Sequence, residues 1–160
     1  MSEDEQEQVT KRLKVKDVMI KDPVTIDSDT TVRDAATAME ESKRSCLLII
    51  AKGKIVGIVT ERDLVRKAMS KNSKIPKSAK VTAIMSSPLV VVNPEATIEE
   101  AAQVMADNEV RRLPVVDEKG IVGLVTVSDL ARALAKELEY SDAVFNAMAR
   151  LHGPPKAVYG

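Results

Sequence analysis

Two threonine–aspartate pairs carry the chain's clearest chemical potential: Thr60 with Asp63, and Thr126 with Asp129. Each pair ends the same kind of stretch, Ile55-Val56-Gly57-Ile58-Val59-Thr60-Glu61-Arg62-Asp63-Leu64 and Ile121-Val122-Gly123-Leu124-Val125-Thr126-Val127-Ser128-Asp129-Leu130. An apolar, β-branched run ending in Thr-x-x-Asp reads as a buried strand that runs into a helix. Two chemistries fit that junction. In the structural one, Thr caps backbone N–H groups, and Asp three residues later completes a capping box and favours the helix dipole. Thr97 with Glu100 has the same spacing at an earlier helix. In the functional one, the helix N-terminus is an anion site. The carboxylate beside it can accept both hydroxyls of a ribose cis-diol, while the Thr hydroxyl reaches toward a phosphate. Gly57 and Gly123 lack a Cβ and so permit close backbone approach. A single T-x-x-D is a weak pattern; two copies, each behind an apolar strand with Gly three before Thr, are a much stronger one.

Composition narrows the classes. The 160 residues are 44% hydrophobic but only 2% aromatic, so a core of Val, Ile, Leu, Ala and Met is available and aromatic stacking platforms for single-stranded nucleic acid are not. Net charge is zero; setting aside the acidic Glu3, Asp4, Glu5 and Glu7 leaves about +4, too mild to imply a nucleic-acid partner. Cys46 is the only cysteine and His152 the only histidine, so neither a disulfide nor a Cys/His metal cage is expected. Cys46 reads as a small buried thiol rather than a redox group. The longest apolar run is far too short to span a bilayer, and the acidic N-terminus does not read as a signal peptide. The expectation is a soluble, cytoplasmic protein that needs no cofactor and does not engage a membrane.

The elements that must position the two junctions come in two series. Lys16 to Met19 reads as a helical turn, Val24 to Ile26 as a short strand, and Asp27 to Thr30 as turn and cap. Val32, Ala35, Ala36 and Met39 mark one face of a helix. Cys46 to Ile50 and Ile55 to Thr60 are strands joined tightly enough to be antiparallel. Leu64, Val65, Ala68 and Met69 form a second helical face. The series then recurs at a constant offset of 66: Met19 becomes Met85, Ala35-Ala36 becomes Ala101-Ala102, Gly57 becomes Gly123 and Asp63 becomes Asp129. That is duplication of one strand–helix–strand–strand–helix unit. The division is a flexible acidic tail at 1–10, repeats at 11–70 and 81–138, a linker at 71–80, and a helical extension and tail at 139–160. The extension carries Val144, Met148 and Leu151, and either covers the core or contributes to a dimer contact. One unit alone leaves an apolar sheet face uncovered, so the fold expected is α/β (α+β), with the repeats packed sheet to sheet about a pseudo-twofold axis that creates two clefts.

These stretches resemble tandem cystathionine-β-synthase (CBS) domains, the pair called a Bateman module. The resemblance rests on Asp17-Val18-Met19, the Ala35-Ala36-x-x-Met39 helix, Leu113-Pro114-Val115-Val116-Asp117 and the two Gly-h-x-Thr-x-x-Asp-h stretches, and it covers residues 14 to 137. It implies a non-catalytic regulatory module that binds AMP, ADP, ATP, NAD or S-adenosylmethionine in energy-sensing fashion and signals to a partner protein. It also implies a homodimer. Ribose contact falls to Asp63 and Asp129, and phosphate contact to Thr60 and Thr126. The base falls between Val24, Thr25, Ile26 and Ser45, Cys46, Leu47 in the first repeat, and between Val90, Val91, Val92 and Arg111 to Leu113 and Pro114 in the second. Arg111, Arg112 and Arg62 are further phosphate candidates; solvated surface charge is the plain alternative. Leu48 stands where the second repeat has Pro114, and Ser45-Cys46 where it has Arg111-Arg112, so the two sites are expected to differ.

Two other functions compete: an adaptor whose clefts are vestigial and which binds a partner protein, and, more weakly, nucleic-acid binding through the basic Lys71, Lys74, Lys77 and Lys80. An enzyme is not expected, because no nucleophile–base pair, metal set or P-loop is present. A likeness to inosine monophosphate dehydrogenase is expected only through the shared module.

Overall fold

A computed structural model describes residues 2–5, 8, 13–87 and 89–137. The extension expected at 139–160 and part of the tail expected at 1–10 lie outside the described residues. The chain runs α1 (Val15–Val18), β1 (Ile20–Lys21), β2 (Thr25–Asp27), α2 (Val32–Ser42), β3 (Cys46–Ala51), β4 (Lys54–Thr60) and α3 (Glu61–Asp63). The last of these continues as a π-helical turn over Leu64–Ala68, and a 3-10 turn follows at Val81–Ala83. The second series is α4 (Ile98–Asp107), β5 (Arg112–Asp117), β6 (Gly120–Thr126) and α5 (Val127–Glu137).

The local chemistry sets these elements. Thr31 and Thr97 accept the Asp34 and Glu100 N–H groups, each at 3.1 Å, and so start α2 and α4. Lys52 and Gly53 both take positive φ, which turns β3 tightly into an antiparallel β4. On α2 and α4 the buried seam is Val32, Ala35 and Met39, repeated as Ile98, Ala101 and Met105. Ala36 and Ala102, expected on that seam, are exposed; Ala38 and Val104, two residues further on, pack against the cores instead. Val65 and Met69, also expected inside, are 64% and 60% exposed. The Met69 N–H bonds the Leu64 carbonyl, five residues back, at 3.0 Å. That wider winding takes the segment off the four-residue spacing on which an amphipathic face depends.

The sheets are β2-β3-β4 and β1-β6-β5. In the second half the counterpart of β2 is reduced to an isolated bridge between Val92 and Val115. Proline explains the loss. The Leu48 N–H donates to the Val24 carbonyl at 3.0 Å in the first half, and Pro114, at the same position in the second, has no N–H to donate.

The strand that completes the second sheet comes from the beginning of the chain: β1 pairs antiparallel with β6, Ile20 with Leu124 and Lys21 with Gly123. The reverse exchange occurs as well, since Ser86 bridges Ile58 in the first half. The caps are exchanged by the same rule: Lys14 bridges Thr97, and Lys80 bridges Thr31. Each lead-in segment therefore completes the opposite hairpin. The core follows suit. Val15 is buried with Ile98, Met105, Leu113 and Val125, while Val81 and Ile84 are buried with Val32, Met39, Leu47 and Val59. A third cluster, Cys46, Leu48 and Leu124 flanked by Ile55, Ile58 and Ile121, is where the two sheets face each other.

Gly57 and Gly123 make the exchange possible. A Cβ on Gly57 would overlap the Met85 thioether, and one on Gly123 would lie 2.5 Å from Met19 Sδ and 2.9 Å from the Ile20 carbonyl oxygen. The close approach that these glycines permit is thus to the opposite half's methionine. Ion pairs tie the same segments from outside: Lys14 and Lys16 each reach Glu95 at 2.8 Å, and Lys80 reaches Asp29 at 2.7 Å.

Gly123→Ala should cost about 1–3 kcal/mol by overpacking, read as a lower urea midpoint, and Met19→Ala should not restore it because the Ile20 backbone remains in the way. Gly57→Ala should cost less, and Met85→Ala should relieve it, since only a side chain obstructs there. Hydrogen bonds from Lys14 and then Lys16 pull the Glu95 carboxyl down to about 2, below its ordinary 4.5. The depressed value means that this clasp contributes above the ordinary carboxylate range and is lost as pH falls toward 2. Solvent screening keeps the contribution small. A carbon-13 titration should find Glu95 ionising at lower pH than glutamates without a cation partner, and Glu95→Gln should remove that part of the acid dependence.

Candidate functional site

The two Thr-x-x-Asp junctions adopt the same geometry. The Thr60 N–H and hydroxyl both donate to Asp63 Oδ2, at 2.9 and 3.0 Å, and Thr60 Oγ1 accepts the Asp63 N–H at 3.2 Å. In the second half the corresponding distances are 2.8, 2.8 and 3.2 Å. Both junctions are therefore complete capping boxes. Both acids are enclosed, their side chains 12% and 9% exposed. The remaining oxygen of each meets a cation: Asp63 Oδ1 lies 3.0 Å from Lys67 Nζ, and Asp129 Oδ1 lies 3.4 Å from Arg132 Nη1.

Backbone bonds gather the other candidate residues beside each junction. The Glu61 N–H donates to the Ser45 carbonyl and the Val127 N–H to the Arg111 carbonyl, each at 3.0 Å. Cys46 pairs with Thr60 and Arg112 with Thr126 in the hairpin registers. On the far side, Thr25 pairs with Leu48, and the Val92 N–H reaches the Pro114 carbonyl at 3.0 Å. Val24–Ile26, Ser45–Leu47 and Thr60–Asp63 thus lie side by side, and so do 90–92, 111–114 and 126–129.

Their side chains divide. Leu47, Leu113 and Val92 are packed inside the core of their own half, so their side chains do not line a cleft. Pro114 is enclosed as well. Val24, Ile26, Ser45 and Val90 are half-buried, and Thr25, Val91, Arg62 and Arg111 are exposed. Arg112 is half-buried, and its charge acts on Cys46. Burial pushes that thiol's pKa up, and the charge of Arg112, then that of Arg44, then an Arg112 hydrogen bond oppose the rise. Cys46 itself is a free, buried thiol in the seam between the sheets. Among the described residues, no group of three or more His, Cys, Asp and Glu side chains is placed to hold a metal ion, and no helix is long and apolar enough to cross a membrane.

Lys67 is a residue of the site that the sequence reading passed over. Its i+4 spacing from Asp63 was a visible sign of an ion pair; its second contact, to the Ile84 carbonyl at 3.0 Å, has no local signature.

Thr60→Ala and Thr126→Ala should each cost about 1 kcal/mol through loss of the N-cap, measured by urea denaturation, and Ser at either position should recover most of it.

A family model described as the CBS domain matches twice, over residues 15–70 and 81–136. The chain is 34% identical over 119 residues to the CBS domain-containing protein YhcV of Bacillus subtilis, a match that takes in 73% of this chain and 82% of that protein. It is 35% identical over 130 residues to the inosine-5'-monophosphate dehydrogenase of Nitrosopumilus maritimus; that match takes in 78% of this chain but only 26% of the enzyme. Among solved structures, the CBS domain pair of protein MJ0100 in complex with 5'-methylthioadenosine and S-adenosyl-L-methionine is similar with a TM-score of 0.68 at 27% identity, over 78% of this chain and 97% of that one. The doubled strand–helix junctions, the two facing sheets and the double family match have one reading: this chain belongs to the CBS-domain family, as a tandem pair.

Proposed function

We propose that the pair is a non-catalytic regulatory module that binds an adenine nucleotide or a related adenosyl metabolite between its repeats and passes that signal to a partner protein, acting as a homodimer. The observation that carries this reading is the repetition of one enclosed carboxylate geometry at both junctions, each beside a helix start and a strand edge. In it Asp63 and Asp129 receive the ribose diol. Thr60 and Thr126 face the phosphate, with Arg62 and Arg111 as exposed cations beside the junctions and Arg112 as a half-buried one next to Arg111. The base lies along the edges at Val24–Ile26 and at 90–92. The ligands carried by the MJ0100 pair, 5'-methylthioadenosine and S-adenosyl-L-methionine, share the adenosyl group that this arrangement suits.

One observation favours the adaptor reading: both carboxylates are already fully engaged by their caps and cations. Calorimetry and thermal melts with AMP, ADP, ATP, NAD, S-adenosylmethionine and 5'-methylthioadenosine separate the two. Binding to the folded state alone should raise the melting temperature, and Asp63→Asn or Asp129→Asn should each weaken one site. Ligand-free protein that responds to none of the six, yet holds a specific protein partner, would overturn the sensor reading.

A further inference from the structure

Lys67 connects the first junction to the segment that crosses between the halves. Its ammonium lies 3.0 Å from Asp63 Oδ1 and donates to the Ile84 carbonyl at 3.0 Å. Ile84 is fully buried. Met85, next in the chain, fills the hollow over Gly57, and Ser86 exchanges backbone bonds with Ile58 at 2.8 and 3.2 Å. The lysine is held from behind, because the Ser73 hydroxyl donates to its carbonyl at 2.6 Å at the end of the π-helical turn. The second half is built differently. Ala133 stands at the equivalent position, and the cation on Asp129 comes from Arg132, at i+3 and 3.4 Å.

We propose that Lys67 is a positioning residue that latches Asp63 to the crossing segment and biases the first site toward an anionic ligand, an inference that rests on reading Asp63 as the ribose acceptor. With the latch closed, Oδ2 of Asp63 is taken by Thr60 and Oδ1 by Lys67. A diol that approaches Oδ1 competes with the ammonium. A neutral nucleoside gives the displaced ammonium nothing in return, whereas a phosphate supplies a new charge-assisted partner. As Lys67 swings toward the ligand, the Ile84 carbonyl loses its donor and the segment that carries Met85 and Ser86 loosens. Occupancy of the first site is thereby felt at the seam.

The test titrates Lys67→Met and Lys67→Arg with AMP and with uncharged 5'-methylthioadenosine, in an Asp129→Asn background that leaves the first site to report. Hydrogen exchange is followed at the Met85 and Ser86 amides. Lys67→Met should bind 5'-methylthioadenosine about two- to fivefold more tightly and AMP more weakly by a similar factor, the range of a partly exposed ion pair; Lys67→Arg should keep the original preference. Exchange at Ser86 should quicken in ligand-free Lys67→Met, with the urea midpoint nearly unchanged, and in the unsubstituted chain when AMP is added. An unaltered AMP-to-methylthioadenosine ratio in Lys67→Met would overturn the bias. Should neither probe bind at the first site, the ribose reading of Asp63 fails by itself, and the latch is then judged on ligand-free exchange: no change at Ser86 in Lys67→Met would overturn it.

Discussion

The constraint on which the rest depends is the contact of two methionine side chains with two bare backbone positions. Met19 lies over Gly123 and Met85 over Gly57. A side chain at Gly123 would press on the Ile20 backbone and so on the place of β1 beside β6, whereas at Gly57 only the Met85 side chain stands in the way. Each core includes residues from the other half's lead-in, Val15 in one and Val81 and Ile84 in the other. A unit of this length buries too small a fraction of its surface to be stable with a piece removed. The halves therefore fold as one object, and anything that shifts a crossing segment disturbs both.

Much of this was legible in the sequence. The constant offset identified the duplication, apolar spacing located α2, Thr97 with Glu100 marked the start of α4, and the tight turn fixed the β3–β4 hairpin as antiparallel; the cap of α2, expected within 27–30, falls at Thr31. The exchange of lead-in segments was not legible, for a physical reason: Met19 and Met85 are equivalent by the repeat, so packing within a half and packing across halves produce the same pattern of residues. A strand as short as Ile20–Lys21 also has too few positions to show a period. The outward turn of Val65 and Met69 was hidden because π-helical winding depends on tertiary fit rather than on composition.

The candidate site divides in the same way. Thr60 with Asp63 and Thr126 with Asp129 could be picked out because cap and anion chemistry require those types at that spacing. The sequence left open whether the pairs cap the backbone or face a ligand; the geometry makes them capping boxes, which sets local stability and any ligand binding in competition for the same oxygens. The distribution of the flanking positions between core and surface was not readable, since adjacent residues of one strand point to opposite faces. Leu47 went to its own core and Cys46 to the seam. Lys67 gained its importance from a partner 17 residues away, beyond the reach of any local rule.

Cys46 and Arg112 hold the same place in the two repeats, and the charge of Arg112 acts on the Cys46 thiol. Ile58 and Leu124, counterparts in the two repeats, share the seam cluster with Cys46, so this seam runs along the axis that relates the two halves. In an assembly of identical chains, whatever occupies such a place must be compatible with a copy of itself, and two guanidiniums would bring like charges together. Joining the halves in one polypeptide lifts the requirement of self-complementarity. The backbone keeps its twofold form while the centre carries a cation on one side and a thiol on the other, so the two faces of an otherwise symmetric body are chemically distinguishable.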